Sequence, residues 1–182
     1  MMIKEAMNKM DFFNVLEKRC SIREFKEKEV EEEKIKKIIE SMRSAPSAGN
    51  LQAYEVVLVK DKKIRENLAI ASYGQSFVAQ APISLVFFAN PKRSSWRYGK
   101  RGEVLYSIQD ATIAASYAQL AAEALGLSSV WVGAFDDSKV SKAVSAPIEL
   151  RPVAIIPIGY RNEEPSKTSR REIDELVRKD KF

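Results

Sequence analysis

The pattern of apolar and polar positions along the chain predicts helices interleaved with four strands. Apolar residues recur at helical spacing in the segment that starts at Asp11, in 31–44 and in 62–72. Near-continuous apolar runs predict strands; the run at Tyr54–Val59 predicts burial on both faces, and Ile83–Ala89 is expected to be a second buried strand. The four predicted strands are Tyr54–Val59, Ile83–Ala89, Ser128–Val132 and Val153–Ile158. Since helices and strands do not alternate regularly, we expect a mixed sheet with helices on both sides.

The segment Ser107–Leu125 is expected to be the central helix of the fold. Its only charged residues are Asp110 and Glu123, and apolar residues fall on every face, which predicts burial nearly all round. The many Ala and Ser residues suit a helix that packs against its own sheet and a second subunit; a core helix of a monomer is the alternative. Ser107 and Asp110 predict a capping box, and Gly126 predicts a left-handed end to the helix.

Two arginines near the N-terminus form a candidate phosphate-binding group. Arg19 and Arg23 are four residues apart, with the hydroxyl of Ser21 between them. Their forked guanidiniums converge on one phosphate if the segment turns or extends. Ion pairing at the protein surface is the alternative interpretation.

Two polar segments are candidates for ligand contact. The loop before the first predicted strand consists of small residues, and its Asn50 and Gln52 each offer a donor and an acceptor to a planar ligand. An ordinary turn is the alternative. The second segment, Asn90–Arg101, is polar, aromatic and basic, and we expect a mobile loop over a site. Trp96 and Tyr98 would close over a flat substrate there or anchor the loop at the surface.

The length and composition of the chain indicate its domain organisation and its cellular compartment. With 182 residues the chain is expected to hold one domain at 10–182, with an N-terminal extension at 1–9 and a hydrophilic tail from about residue 161. We expect no signal peptide, because residues 1–10 lack an apolar core, and the sequence has no apolar run long enough to cross a bilayer. The single cysteine, Cys20, excludes an internal disulfide and fits the reducing cytoplasm.

Composition also limits the chemistry. The chain has no histidine, which excludes histidine-based triads and metal sites, and we expect no bound metal. If the protein is an enzyme, a cofactor carries the difficult step. The net charge is +5, but basic residues are mixed with acidic ones and no nucleic-acid-binding motif is present, so we expect no nucleic-acid partner.

Three separated segments together resemble the nitroreductase family. Arg19–Arg23 resembles the family's RRSxR motif, Pro46–Gln52 its PSxxNxQPW loop, and Gly126–Asp136 its GLGxxWxGxFD segment. The strand Val153–Gly159 and the basic tail at 170–171 also match, so that the resemblance covers about residues 10–178. No single motif is specific, but their order and spacing agree.

The resemblance implies an α+β fold with a mixed, mainly antiparallel sheet. It implies a homodimer in which the central helix packs against its mate and each FMN lies at the subunit interface. The implied activity is hydride transfer from NAD(P)H through the flavin N5 to a flat acceptor, such as a nitroaromatic or a quinone, in a ping-pong cycle. A flavin reductase or reductive dehalogenase of the same fold, and a non-catalytic flavin carrier, remain alternatives.

The resemblance also implies which residues bind the cofactor. The segment Arg19–Arg23 would hold the FMN phosphate and ribityl chain, with Cys20 contributing mainly its backbone, and Arg170 or Arg171 would close the phosphate site. The full set is Arg19, Cys20, Ser21, Arg23, Ser47, Asn50, Gln52, Val132, Gly133, Ala134, Arg170 and Arg171.

The flavin ring would be contacted by two other groups of residues. Asn50 and Gln52 would reach it from the partner subunit. Gly133 and Ala134 would lie against the face opposite the substrate, with a backbone N–H directed at N5. The sequence departs from the family where Cys20 replaces an arginine, where the residues after Gln52 are Ala and Tyr rather than Pro and Trp, and where the acidic residue that some members carry near N5 is absent.

Overall fold

The structure, a computed structural model, describes residues 11–166 and 168–182. The α-helices are α1 (Phe12–Lys18), α2 (Glu32–Arg43), α3 (Lys62–Ala71), α4 (Phe77–Gln80), α5 (Pro91–Arg101), α6 (Ser107–Ala124), α7 (Asp137–Ala143) and α8 (Ile173–Leu176). The strands are β1 (Tyr54–Val59), β2 (Ile83–Ala89), β3 (Ser128–Ser129) and β4 (Arg151–Gly159). Within these residues, no helix is both long enough and apolar enough to cross a membrane. The predicted extension at 1–9 lies outside the described residues.

The four strands form one sheet in the order β1-β2-β4-β3, and every pair of neighbouring strands is antiparallel. A parallel bridge between Ser21 and Ser129 extends this arrangement at the β3 edge. The predicted α+β fold with a mainly antiparallel sheet is therefore confirmed.

Helices cover both faces of the sheet because β2 and β4 alternate their apolar side chains. Val86 and Phe88 of β2 belong to the core under α3, α4 and α7, whereas Leu85 and Phe87 belong to the core under α2 and α6. All seven residues of β2 are buried, as its continuous apolar run predicts. In contrast, β1 is an edge strand and only its last residue is buried, so the expected burial on both faces is wrong for β1.

The central helix α6 has the predicted position and length but a different beginning. Its alanine face is fully buried against β2 and β4, and Gly126 has the predicted left-handed φ of 72° at its C-terminal end. The predicted capping box is wrong, because a π-helical segment, Gly102–Tyr106, joins α5 directly to α6. The Ser107 hydroxyl donates to the Glu103 carbonyl, and Asp110 has other partners.

The expected mobile loop at Asn90–Arg101 is also wrong, since this segment forms α5. The Asn90 side chain caps the helix by accepting from the Arg93 N–H, and Pro91 occupies its first turn. Gly99, with a φ of 53°, introduces a kink that brings Ser94 against Gly102.

We predict that Gly102→Ala destabilises the folded chain by about 1–3 kcal/mol through overpacking. A methyl group at this position would lie 2.5 Å from the Ser94 carbonyl oxygen, and backbone atoms have little freedom to move away. Urea unfolding measures the effect, with Val104→Ala as the control because the Val104 side chain is half exposed. Equal unfolding midpoints for Gly102→Ala and wild type would contradict the prediction.

Candidate functional site

The segment after α1 is extended, and this sets the direction of its side chains. It lies along β3, where the Ile22 N–H donates to the Ser129 carbonyl at 3.2 Å. Because side chains alternate along extended backbone, Cys20 and Ile22 enter the core, while Arg19, Ser21 and Arg23 keep solvent contact.

All residues of this segment except Ile22 line a cavity of about 490 Å³ beside α1. The cavity lining combines the N-terminal arginines with residues of the C-terminal tail. It consists of Leu16, Glu17, Arg19, Cys20, Ser21, Arg23, Glu163, Ser166, Thr168 and Arg170. Among the described residues, the guanidiniums of Arg19 and Arg23 have neither a hydrogen-bond nor an ion-pair partner. The cavity thus presents two uncommitted guanidiniums from the N-terminal part of the chain, together with Arg170 from the C-terminal tail.

Glu163 ties the tail to this extended segment, a role that sequence reasoning missed. Its carboxylate accepts from the backbone N–H groups of Arg23 and Glu24, the latter at 3.2 Å. The Asn162 N–H donates to the Glu24 carbonyl at 2.8 Å in the same place. No local pattern signals this contact, since about 140 residues separate the partners.

The structure distinguishes the two tail arginines that the sequence left as alternatives. Arg170 lines the cavity, and its guanidinium is oriented by the Thr168 hydroxyl at 2.7 Å. Arg171 instead bonds along α8, with its Nε 3.3 Å from the Glu175 carboxylate and its Nη2 2.9 Å from the Glu175 carbonyl.

The polar loop before β1 is a tightly folded turn and lies outside the cavity lining. Gly49, Asn50 and Gln52 have φ values of 56°, 57° and 49°. Such values are uncommon for residues other than glycine and need support from the surroundings. The Ser47 hydroxyl accepts from the Gln52 N–H at 3.0 Å, and the Gln52 amide donates to the Asn50 side chain at 3.2 Å.

Further support for the loop comes from α6. The Asp110 carboxylate, with 2% of the residue exposed, accepts from the Ala48 N–H at 2.9 Å and from the Ala53 N–H at 3.2 Å. These two amides flank the loop residues Asn50 and Gln52. One buried carboxylate therefore holds both ends of the loop against the central helix.

The segment after β3 presents backbone donors to solvent. Val132 is buried and pairs with Ile155 in both directions at 3.0 Å. Gly133 and Ala134, the next two residues, are exposed, and within the described part of the chain their N–H groups donate no hydrogen bond. The Ala134 carbonyl accepts from the Gln75 side chain at 3.3 Å, which fixes the direction of this segment.

Two buried ionisable groups lie at the extended segment: Cys20 within the segment, and Glu123 behind it on α6. Burial raises the pKa of the Glu123 carboxyl on α6, against the opposing effect of Arg161, Arg19 and Lys18. Burial, and secondarily the Glu123 charge, raises the pKa of the Cys20 thiol. A thiol with a raised pKa is a poor nucleophile at neutral pH, so Cys20 serves packing in this site.

The architecture described above is that of an α+β protein with a candidate anion-binding cavity at the edge of an antiparallel sheet. The sequence model of the Nitroreductase family matches residues 16–87 and 69–160. The chain belongs to the nitroreductase family.

Individual relatives agree with this assignment. A protein of Archaeoglobus fulgidus, provisionally named NADH dehydrogenase/NAD(P)H nitroreductase, is 30% identical over 151 residues, which are 80% of this chain and 83% of that protein. The NADH dehydrogenase of Thermus thermophilus is 27% identical, covering 88% of this chain and 91% of that protein. The solved FMN-dependent nitroreductase of Clostridium difficile is 33% identical, with a TM-score of 0.77 over 92% of this chain and 98% of that chain.

We predict slow alkylation of Cys20 in the folded protein. Iodoacetamide reacts with the thiolate, and a raised pKa lowers the thiolate fraction at every pH below it. At about pH 8 the folded protein should therefore react at least several-fold more slowly than the urea-unfolded chain, and its rate profile should be displaced to higher pH. Mass spectrometry follows the reaction. Equal rates in the two states would contradict the burial effect.

Proposed function

We propose that this chain is an FMN-dependent oxidoreductase that passes a hydride from NAD(P)H to a flat acceptor such as a nitroaromatic or a quinone. The observation that carries the proposal is the cavity in which Arg19, Arg23 and Arg170 meet. Family membership and the NAD(P)H-linked names of the relatives support the oxidoreductase class.

The donors of the cavity suit a phosphate monoester such as that of FMN. Guanidiniums bind phosphate oxygens through forked, charge-assisted hydrogen bonds, and the Ser21 hydroxyl adds another donor. Since the guanidiniums of Arg19 and Arg23 have no hydrogen bond or ion pair to another described residue, they can bind a phosphate without breaking a contact within the described part of the chain. The acidic residues of the lining are Glu17 and Glu163, and the Glu163 carboxylate already accepts from two backbone amides.

When bound, FMN supplies the redox chemistry by accepting and releasing a hydride at its N5. The chain's own task is to bind and orient the cofactor. Gly133 and Ala134 are exposed, and their N–H groups, which donate no hydrogen bond within the described residues, would be available as donors that stabilise negative charge on the ring. Asn50 and Gln52 offer side-chain amides for the polar edge of the ring.

A homodimer is part of the proposal, because the loop of Asn50 and Gln52 does not line the arginine cavity of its own chain. In the proposed assembly, that loop contacts the flavin held by the partner subunit. A groove of about 480 Å³ between this loop and α6 is lined mainly by apolar atoms, with Ile108 and Ile113 on the helix side. The partner subunit would cover this groove.

The proposed location of the protein is the cytoplasm, because a chain with the single cysteine Cys20 fits a reducing compartment.

We predict that the protein binds FMN and that NADH or NADPH bleaches the bound flavin under anaerobic conditions. Subsequent addition of a quinone or nitroaromatic should restore the flavin absorbance. Stopped-flow absorbance in the visible flavin band measures both half-reactions. A protein that binds FMN but is not bleached by either nucleotide would be a flavin carrier, and one that binds no FMN would contradict the proposal.

We predict that Arg170→Ala weakens FMN binding about tenfold or more, because a charged hydrogen bond to phosphate contributes roughly 1.5–3 kcal/mol. Arg171→Ala is the matched control: the same charge is removed from the neighbouring residue, which bonds to Glu175 instead of lining the cavity. Quenching of flavin fluorescence on titration gives both dissociation constants. Equal losses in the two variants would indicate a long-range charge effect and contradict the assignment to Arg170.

A further inference from the structure

Asp110 has no structural role in beginning the helix on which it lies. The π-helical segment continues directly into α6, so the first turn of α6 needs no side-chain cap. The Asp110 carboxylate is nevertheless almost fully buried. Burying a carboxylate costs free energy unless hydrogen bonds compensate it. The compensating donors are the backbone amides of Ala48 and Ala53 in the loop, at 2.9 and 3.2 Å.

The loop that Asp110 holds has a backbone conformation that it would not keep by itself. Asn50 and Gln52 both have positive φ values, and such residues persist only where surrounding contacts enforce them. The bond from the Gln52 N–H to the Ser47 hydroxyl lies within the loop and does not attach it to the rest of the protein. The Asp110 carboxylate attaches both ends of the loop to a rigid helix.

We propose that Asp110 is a positioning residue, which holds the loop so that the side chains of Asn50 and Gln52 are pre-set for the flavin ring. This assignment rests on the proposed function. Asp110, an anionic residue that touches neither cofactor nor substrate, would fix both ends of the ring-binding loop through two backbone amides.

The same helix also reaches the phosphate-binding part of the fold. Glu123, thirteen residues after Asp110 and about 20 Å further along the helix, lies close enough to Arg19 for the guanidinium charge to oppose the burial that raises the pKa of the Glu123 carboxyl. Helix α6 thus spans the distance between the ring-binding loop at one end and the extended arginine segment at the other. A displacement of the loop relative to α6 would change the ring contacts and leave the phosphate contacts unchanged.

Two variants test the assignment: one changes the acceptor of the hydrogen bonds, and the other removes one of the donors. Asp110→Asn removes the charge and replaces one acceptor oxygen by a donor. Ala48→Pro removes only the Ala48 N–H and keeps Asp110; proline suits this first position of the short 3₁₀ turn, and the extended Ser47 before it is compatible with a following proline. Ser116→Ala is the control, since among the residues that the structure describes the Ser116 hydroxyl bonds within α6, to the Thr112 carbonyl.

Two readouts are needed. Hydrogen exchange of residues 47–53 in the FMN-free protein should accelerate at least tenfold in both variants and not in Ser116→Ala. The FMN dissociation constant should rise about two- to tenfold, which is the loss expected when one neutral hydrogen bond to the flavin ring is no longer made. At saturating FMN, the visible circular dichroism of the flavin should also change in both variants and not in Ser116→Ala. A merely structural role would lower the urea midpoint and leave the flavin signal unchanged.

The outcomes separate the two proposals. If the wild-type protein binds no FMN, the proposed function is wrong, and the positioning role falls with it. If the wild type binds FMN and both variants bind it equally well with the same circular dichroism, only the positioning role of Asp110 is wrong. If FMN binding falls without faster exchange of residues 47–53, the carboxylate acts by another route and the assignment is likewise overturned.

Discussion

The close packing of the alanine face of α6 onto the sheet is the constraint on which the rest of the structure depends. Ala111, Ala114, Ala118 and Ala122 are fully buried, and their short side chains let the helix approach the sheet. This approach places the Asp110 carboxylate within hydrogen-bond distance of the loop before β1. At the other end, α6 supports the extended arginine segment. The candidate site is therefore arranged around one helix whose position admits little adjustment.

The sequence predicted those parts of the fold that local patterns determine. The apolar runs of β1 and β2 have the predicted ends, and Gly126 ends α6 as expected. The polar composition of Asn90–Arg101 is typical of a loop, although the segment forms a helix that buries Ser94 and is kinked at Gly99. The sequence also contains no local signal that a strand lies at the edge of the sheet. The partial exposure of β1 therefore follows only from the order of the strands.

Part of the candidate site could likewise be predicted, and part could not. Alternation along an extended segment suffices to place Arg19, Ser21 and Arg23 on one side. The hydrogen bonds of Asp110 to Ala48 and Ala53 join residues 62 and 57 positions apart, and no periodicity encodes such a contact. The local spacing from Ser107 instead suggested a helix cap. Long-range contacts of this kind become visible only when the packing of the helix on the sheet is known.

The central claim is that one chain supplies the arginines and the other supplies the loop of each flavin site. The most direct measurement is the flavin content of a hybrid dimer, purified with two different tags, that contains one Arg23→Ala chain and one Asn50→Ala chain. In the proposed assembly the hybrid has one site with both defects and one intact site, so its flavin content should be about half that of the wild type. If both residues act within one chain, each site keeps one defect. A hybrid that binds no more flavin than the two parent variants would contradict the claim.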